Sequence, residues 1–135
     1  MAGTTVESVA EAVQKALKGG KLPCASAFVI AERLGVEPLQ VGQQADALDV
    51  RLSKCQLGLF GYGSKAEGTH RRVKRMKDIP LDLAAAIRAA VDKDGKLSCA
   101  AAWHVADELA VPKRRVSDAA EGMGVRLVQC QLGAF

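Results

Sequence analysis

Aromatic residues are scarce in this 135-residue chain, which has one Trp, one Tyr and three Phe. Large rings therefore cannot fill its interior. The apolar content, 49% of the residues, comes mostly from Ala, Val and Leu, which favours small, closely packed helices. No run of about 18 apolar residues occurs, so no membrane span is expected. The N-terminus, MAGTTVESVAEAV, lacks the basic and apolar regions of a secretory signal, and a cytoplasmic location is the expectation. Histidine is limited to His70 and His104, and the four cysteines form no CxxC pair. Without a repeated Cys/His set there is no basis for nucleophilic catalysis, and no enzyme is expected.

What the chain does have is a copy of itself. KLPCASAFVIAERLGVEPLQVGQQADALDVRLSKCQLGLF (Lys21–Phe60) returns as KLSCAAAWHVADELAVPKRRVSDAAEGMGVRLVQCQLGAF (Lys96–Phe135), at a constant offset of 75 residues and with 18 of 40 positions identical. A repeat of this length governs the fold. It divides the chain into a first unit (1–60), a linker (61–77) and a second unit (78–135). Each unit is close to the lower size limit for burying its own core, so the two are expected to pack as a pseudo-dimer. Cys24, Cys55, Cys99 and Cys130 fall two per copy at equivalent places. The expectation is buried free thiols, because two thiols per copy fall short of the four ligands of a structural zinc site.

In chain order, residues 4–18 read as an amphipathic helix. Thr4 and Glu7 suit a capping box, and Val6, Val9, Ala10, Val13 and Leu17 share one face. A second helix begins near Pro23 and ends at Gly35. A third runs from Pro38 to about Leu48, and its counterpart opens at Pro112 and is weakened by Gly122 and Gly124. VRLSKCQLG and VRLVQCQLG then read as a short strand or strand pair. After the linker, Asp78 is the expected cap of the next helix, with Pro80 in its first turn and Asp94-Gly95 at its end.

IAERLGV followed by EPLQVGQQAD resembles the helix-turn-helix of the DNA-binding superfamily. Ala31 stands where the two helices cross, Gly35 at the turn and Val41 where the second helix closes the core; Ala106, Ala110 and Val116 are their counterparts. Ala110 departs from the usual glycine, so a distorted turn is expected there. The trailing VRL…CQLG segments resemble the wing strands of winged-helix proteins. The resemblance implies a mainly α fold with a short β wing, made of two tandem winged-helix-like units. It also implies a second helix offered to the major groove of double-stranded DNA. The residues at that end are Glu37, Pro38, Leu39, Gln40 and Gln43 in one copy, and Lys113, Arg114, Arg115, Ser117 and Asp118 in the other. Gln40 and Gln43 suit adenine, while the basic trio suits phosphate and guanine.

Charge adds a second candidate. The chain's net +4 equals that of segment 61–78 alone, where Lys65, Arg71, Arg72, Lys74, Arg75 and Lys77 outnumber Glu67 and Asp78. Arg71, Arg72, Lys74 and Arg75 could neutralise phosphates. Gly61, Gly63 and Ala66 match a dinucleotide fingerprint in spacing only, since no βαβ pattern surrounds them, and no cofactor is expected. The expected function is DNA binding in transcription regulation. The alternative is a protein-interaction or scaffold module that dimerises or docks on a protein partner.

Overall fold

Small apolar side chains at helical spacing set the elements of this chain. The structure is a computed structural model and describes residues 7–63 and 70–135. Among these, the chain forms α1 (Val9–Lys15), β1 (Leu22–Pro23), α2 (Cys24–Leu34), α3 (Pro38–Ala47) and β2 (Leu52–Ser53). The same order returns as α4 (Leu81–Ala90), β3 (Leu97–Ser98), α5 (Cys99–Leu109), α6 (Lys113–Met123) and β4 (Leu127–Val128). The architecture is mainly helical with a few short strands.

Helix ends differ from the sequence expectation where a nearer cap competes. Ser8 caps α1, its hydroxyl accepting from the Glu11 amide at 3.1 Å. Thr4 lies outside the described residues, and Glu7 instead holds Arg33 at 3.0 Å and Lys15 at 3.6 Å. Pro80, not Asp78, occupies the N-cap of α4, which ends at Ala90, ahead of Asp94-Gly95. The Asp92 carboxylate makes the turn that follows, accepting from the amides of Asp94 and Lys96 at 2.8 and 2.9 Å. Gly122 does not weaken α6, which continues to Met123 and stops at Gly124.

The α2–α3 turn is formed by Gly35 in the left-handed conformation, with φ 65° and ψ 34°. Ala110 takes nearly the same angles, φ 53° and ψ 45°. In both copies the next amide, of Val36 or Val111, donates to the carbonyl of Ala31 or Ala106 at 3.0 Å. The expected distortion is therefore absent. The second copy instead bears the steric strain of a β-carbon in that conformation, on the order of 1 kcal/mol. Ala31, Val41, Ala106 and Val116 are all buried where the helices meet.

Each unit closes with a parallel strand pair, Leu22 opposite Leu52 and Leu97 opposite Leu127. The VRL segments thus return beside the residues that precede α2 and α5. The expected short strand is thus present in each copy, but among the described residues it does not turn back into an antiparallel hairpin. The cause lies just past each strand, where Lys54 and Gln129 adopt left-handed angles, φ 48° and 57°. The chain then curls into a closed loop, with the Cys55 amide donating to the Phe60 carbonyl at 3.2 Å and the Cys130 amide to Phe135 at 3.0 Å.

These Cys-Gln-Leu-Gly loops cross between the units. Leu132, from the second copy, is buried with Val13, Leu22, Ile30 and Val41 of the first. Leu57, from the first copy, is buried with Leu83, Ile87, Leu97 and Val116 of the second. Backbone follows side chain: a β-carbon at Gly42 of α3 would overlap the Leu132 carbonyl. The pseudo-twofold axis is marked by residues that meet their own counterparts. Phe28 lies against Trp103, with ring centroids 4.3 Å apart, and Phe60 meets Phe135 edge-on at 6.3 Å. Four of the five aromatic residues lie on this axis.

Truncating either crossing leucine leaves a cavity in the opposite unit, at a cost of about 2–5 kcal/mol. Leu57→Ala is expected to raise amide hydrogen exchange chiefly in α4–α6, and Leu132→Ala chiefly in α1–α3. Hydrogen-exchange mass spectrometry of the two variants checks this; faster exchange confined to the mutated unit would refute the crossing.

Candidate nucleic-acid interface

The basic residues of α6 start from a proline. Pro112 is extended, with φ −60° and ψ 144°, and sets the N-cap from which Lys113, Arg114 and Arg115 open the helix. The three then diverge. The Lys113 ammonium sits over the Trp103 ring, 4.6 Å from its centroid. Arg114 lays its aliphatic stem beside Gly58, where an added β-carbon would be 3.0 Å from Arg114 Cγ. Arg115 is exposed.

The linker comes to this same corner. It does not extend α4 towards its N-terminus; residues 70–80 run outside any helix or strand and cross α6. The Arg72 amide donates to the Gly58 carbonyl at 2.7 Å, and its guanidinium lies 5.0 Å from the Tyr62 ring centroid. The Lys74 amide donates to the Asp118 carboxylate at 2.8 Å, the Met76 amide donates to the Asp118 carbonyl at 3.0 Å, and Arg71 pairs with Glu121 at 3.6 Å. A β-carbon at Gly122 would overlap the Met76 carbonyl. Asp118 and Glu121 are thus engaged by the linker, and Ser117 is buried, so neither Ser117 nor Asp118 is an exposed reader. Arg75 is exposed. Gly58, carried over from the first unit, is the point at which Arg72 and Arg114 meet.

The first unit presents no such corner. The Gln40 side-chain oxygen accepts from the Glu37 amide at 2.9 Å, which commits its carbonyl to the start of α3. Gln43 lines a groove of about 680 Å³ together with Asp46, Asp49 and Arg51, with Leu39, Gly42 and the crossing Leu132–Ala134 along its side. Gln40 is thus held at Glu37 and Gln43 lies beside Asp46, Asp49 and Arg51, on a different helix from the cations of α6 and the linker.

Sequence reasoning missed Tyr62 and Trp103, each of which holds a cation by its ring face. It also missed four cations whose signal was present. Among the 18 identical positions, the only charged ones are Lys21/Lys96 and Arg51/Arg126. All four residues line one cavity between the units.

The cysteines are free, and three of the four are buried. Burial pushes the Cys24 thiol up to about 11, and raises those of Cys55 and Cys99 as well. Gln56 and Gln131 each hold a thiol of their own copy, Cys24 and Cys99, at 3.8 and 3.4 Å. Burial also raises the Tyr62 hydroxyl, with Cys55 and Cys24 adding to the rise and Arg72 and Arg114 opposing it. Among the described residues, no group of three or more His, Cys, Asp or Glu is arranged to hold a metal ion, and no helix is long and apolar enough to cross a membrane. Comparison with protein-family models, with curated proteins and with solved structures finds no match for the chain.

The thiols imply a pH dependence. Their folded values lie above the ordinary 9.0, so above that pH the folded chain keeps protons that the unfolded chain releases. Stability is fully present below about pH 9 and is lost as pH rises towards about 11. Urea midpoints measured across this range are expected to fall, and to fall less steeply in Cys24→Ala. An unchanged slope in that variant would remove Cys24 as the cause.

Proposed function

We propose that the chain binds double-stranded DNA, one-sidedly, through the N-terminal end of α6 and the linker beside it, and so acts as a DNA-binding regulator. The observation that carries this reading is that the Arg72 backbone amide and the Arg114 stem both rest on Gly58, bringing the linker to the start of α6, with Arg115 and Arg75 exposed nearby in the sequence. The resemblance of α5–α6 to a helix-turn-helix agrees with it. The unpaired amides of a helix start add positive potential where a phosphate would approach. Lys113 supports the site differently, since its charge is held over Trp103 and braces α6 against the pseudo-twofold axis. The first unit serves as scaffold: its groove sets Asp46 and Asp49 against the single Arg51, a net negative lining that disfavours a phosphate backbone, while its Cys-Gln-Leu-Gly loop positions the contacts of the second.

A second reading draws on that groove. The α6 face opposite the linker holds a basic extended segment on Asp118 and Glu121, and the corresponding places on α3 are Gln43 and Asp46. An acidic groove of this form suits a basic peptide, which favours a protein-docking module. Ala47 stands where Gly122 admits the linker backbone, so a docked peptide would ride higher on α3.

Fluorescence anisotropy of a labelled duplex across a salt series tests the first reading. Five phosphate contacts, from Arg72, Lys74, Arg75, Arg114 and Arg115, give an expected log–log salt slope of about −4 to −5. Arg114→Ala/Arg115→Ala is expected to weaken binding and to reduce the magnitude of that slope by about 2. No binding at low salt removes the DNA reading and leaves the docking one. Binding that ignores the Arg114/Arg115 pair but vanishes with Arg72, Lys74 and Arg75 confines the contact to the linker.

A further inference from the structure

Duplication provides an internal test of what the surface must keep. Within the repeat, outside the two retained basic positions, only the acids at Glu32/Asp107 and Asp46/Glu121 keep their sign, while Arg33 matches Glu108, Leu39 matches Arg114, and Gln43 matches Asp118. Lys21/Lys96 and Arg51/Arg126 are unchanged. They are exposed, so packing does not explain their retention.

The fold puts all four in one place. Lys21 and Arg51 immediately precede the paired Leu22 and Leu52, and the Leu22 amide donates to the Arg51 carbonyl at 2.9 Å. Lys96 and Arg126 stand in the same relation to Leu97 and Leu127, also at 2.9 Å. Each parallel strand pair therefore holds two like charges as neighbours, an arrangement that is unfavourable without a counter-ion. Among the described residues, none of the four has a carboxylate within ion-pair distance. The two pairs line a single cavity of about 1020 Å³, with no Asp or Glu among its described lining residues and with His70, Phe60 and Phe135 on its wall. Because Phe60 and Phe135 are counterparts in contact, the cavity lies on the pseudo-twofold axis.

We infer that this axial cavity is a binding site for a small molecule bearing a diphosphate or triphosphate. Two guanidinium groups and two ammonium groups offer bidentate and point-charge contacts to phosphoryl oxygens. Their pairing about an axis matches the two equivalent ends of a pyrophosphate linkage. A single phosphate would satisfy one strand pair and leave the other uncompensated. The size is that of a small-molecule pocket, and its aromatic wall has room for an apolar or planar group attached to the phosphates. The site adjoins the α6 corner, since Arg126 also lines a smaller pocket with Arg71, Ser117 and Glu121, and it does not depend on the DNA reading.

Isothermal titration calorimetry of the full chain with sodium pyrophosphate, at matched ionic strength, tests the inference. Saturable binding of a single pyrophosphate per chain is expected. Arg51→Ala and Arg126→Ala, from opposite units, are each expected to weaken it about tenfold or more. Arg51→Lys keeps most of the affinity, and Arg114→Ala/Arg115→Ala leaves it unchanged. Circular dichroism confirms that each variant is folded. The inference is overturned by absence of binding at millimolar pyrophosphate. It is equally overturned if the folded alanine variants bind like the parent chain, or if they lose duplex DNA while pyrophosphate binding is unaffected.

Discussion

The reciprocal insertion of Leu57 and Leu132 is the contact on which the rest of the structure depends. A unit of about 60 residues has a marginal core, and here each core is completed by a leucine from the other half. Full burial of such a side chain contributes about 1.5–3 kcal/mol. Its position is held by the closed Cys-Gln-Leu-Gly loop, which starts at a left-handed residue and ends on a Phe at the axis. The loop does more than fill space. Gly58 carries the linker amide of Arg72 and the stem of Arg114, so the basic corner of the second unit is assembled on a residue of the first. The unit boundaries at 60 and 78 divide the chain, but they do not divide the cores.

Much of the framework was legible in the sequence. The repeat, the helix pair of each copy and the buried Ala31, Val41, Ala106 and Val116 follow from periodicity, turn residues and the comparison of copies. The crossing was not legible, because Leu57 and Leu132 are the same residue at the same place in each copy. A pattern of apolar positions says that a leucine is buried, and not in which core. The short strands were legible but their direction was not, because two residues, Leu-Ser or Leu-Val, carry no signal for parallel pairing. The turn at Ala110 shows the opposite limit, a residue with a poor intrinsic preference held in place by the packing around it. The start of α4 was misplaced by two residues, because Pro80 rather than Asp78 stands at its N-cap, a local choice that patterns resolve poorly.

The candidate site was half legible. Arg71, Arg72, Lys74, Arg75 and the α6 trio were visible as charge, but charge alone does not say which acids are spent on which amides. Asp118 is an example: in sequence it is an exposed acid at a reader position, and in the fold it is the anchor of the linker backbone. Gln40 was similarly visible as a hydrogen-bonding side chain and is engaged at its own helix start. The retained Lys21, Arg51, Lys96 and Arg126 stand apart in the sequence, and only the parallel strand pairs bring them together. Charge that is kept while its surroundings change carries as much information as charge that is gained.

The aromatic pairs on the axis bear on how such a chain can change over time. In a homodimer of a single unit, every axial residue would face itself, and one substitution would alter both sides at once. Fusion into one chain removes that restriction. Phe28 can face a Trp103 that carries Lys113 on its ring, an unequal contact that two identical subunits could not make. The axis thus retains the geometry of a symmetric pair while each side mutates singly, and α3 and α6 can become an acidic groove and a basic corner without separate scaffolds to hold them.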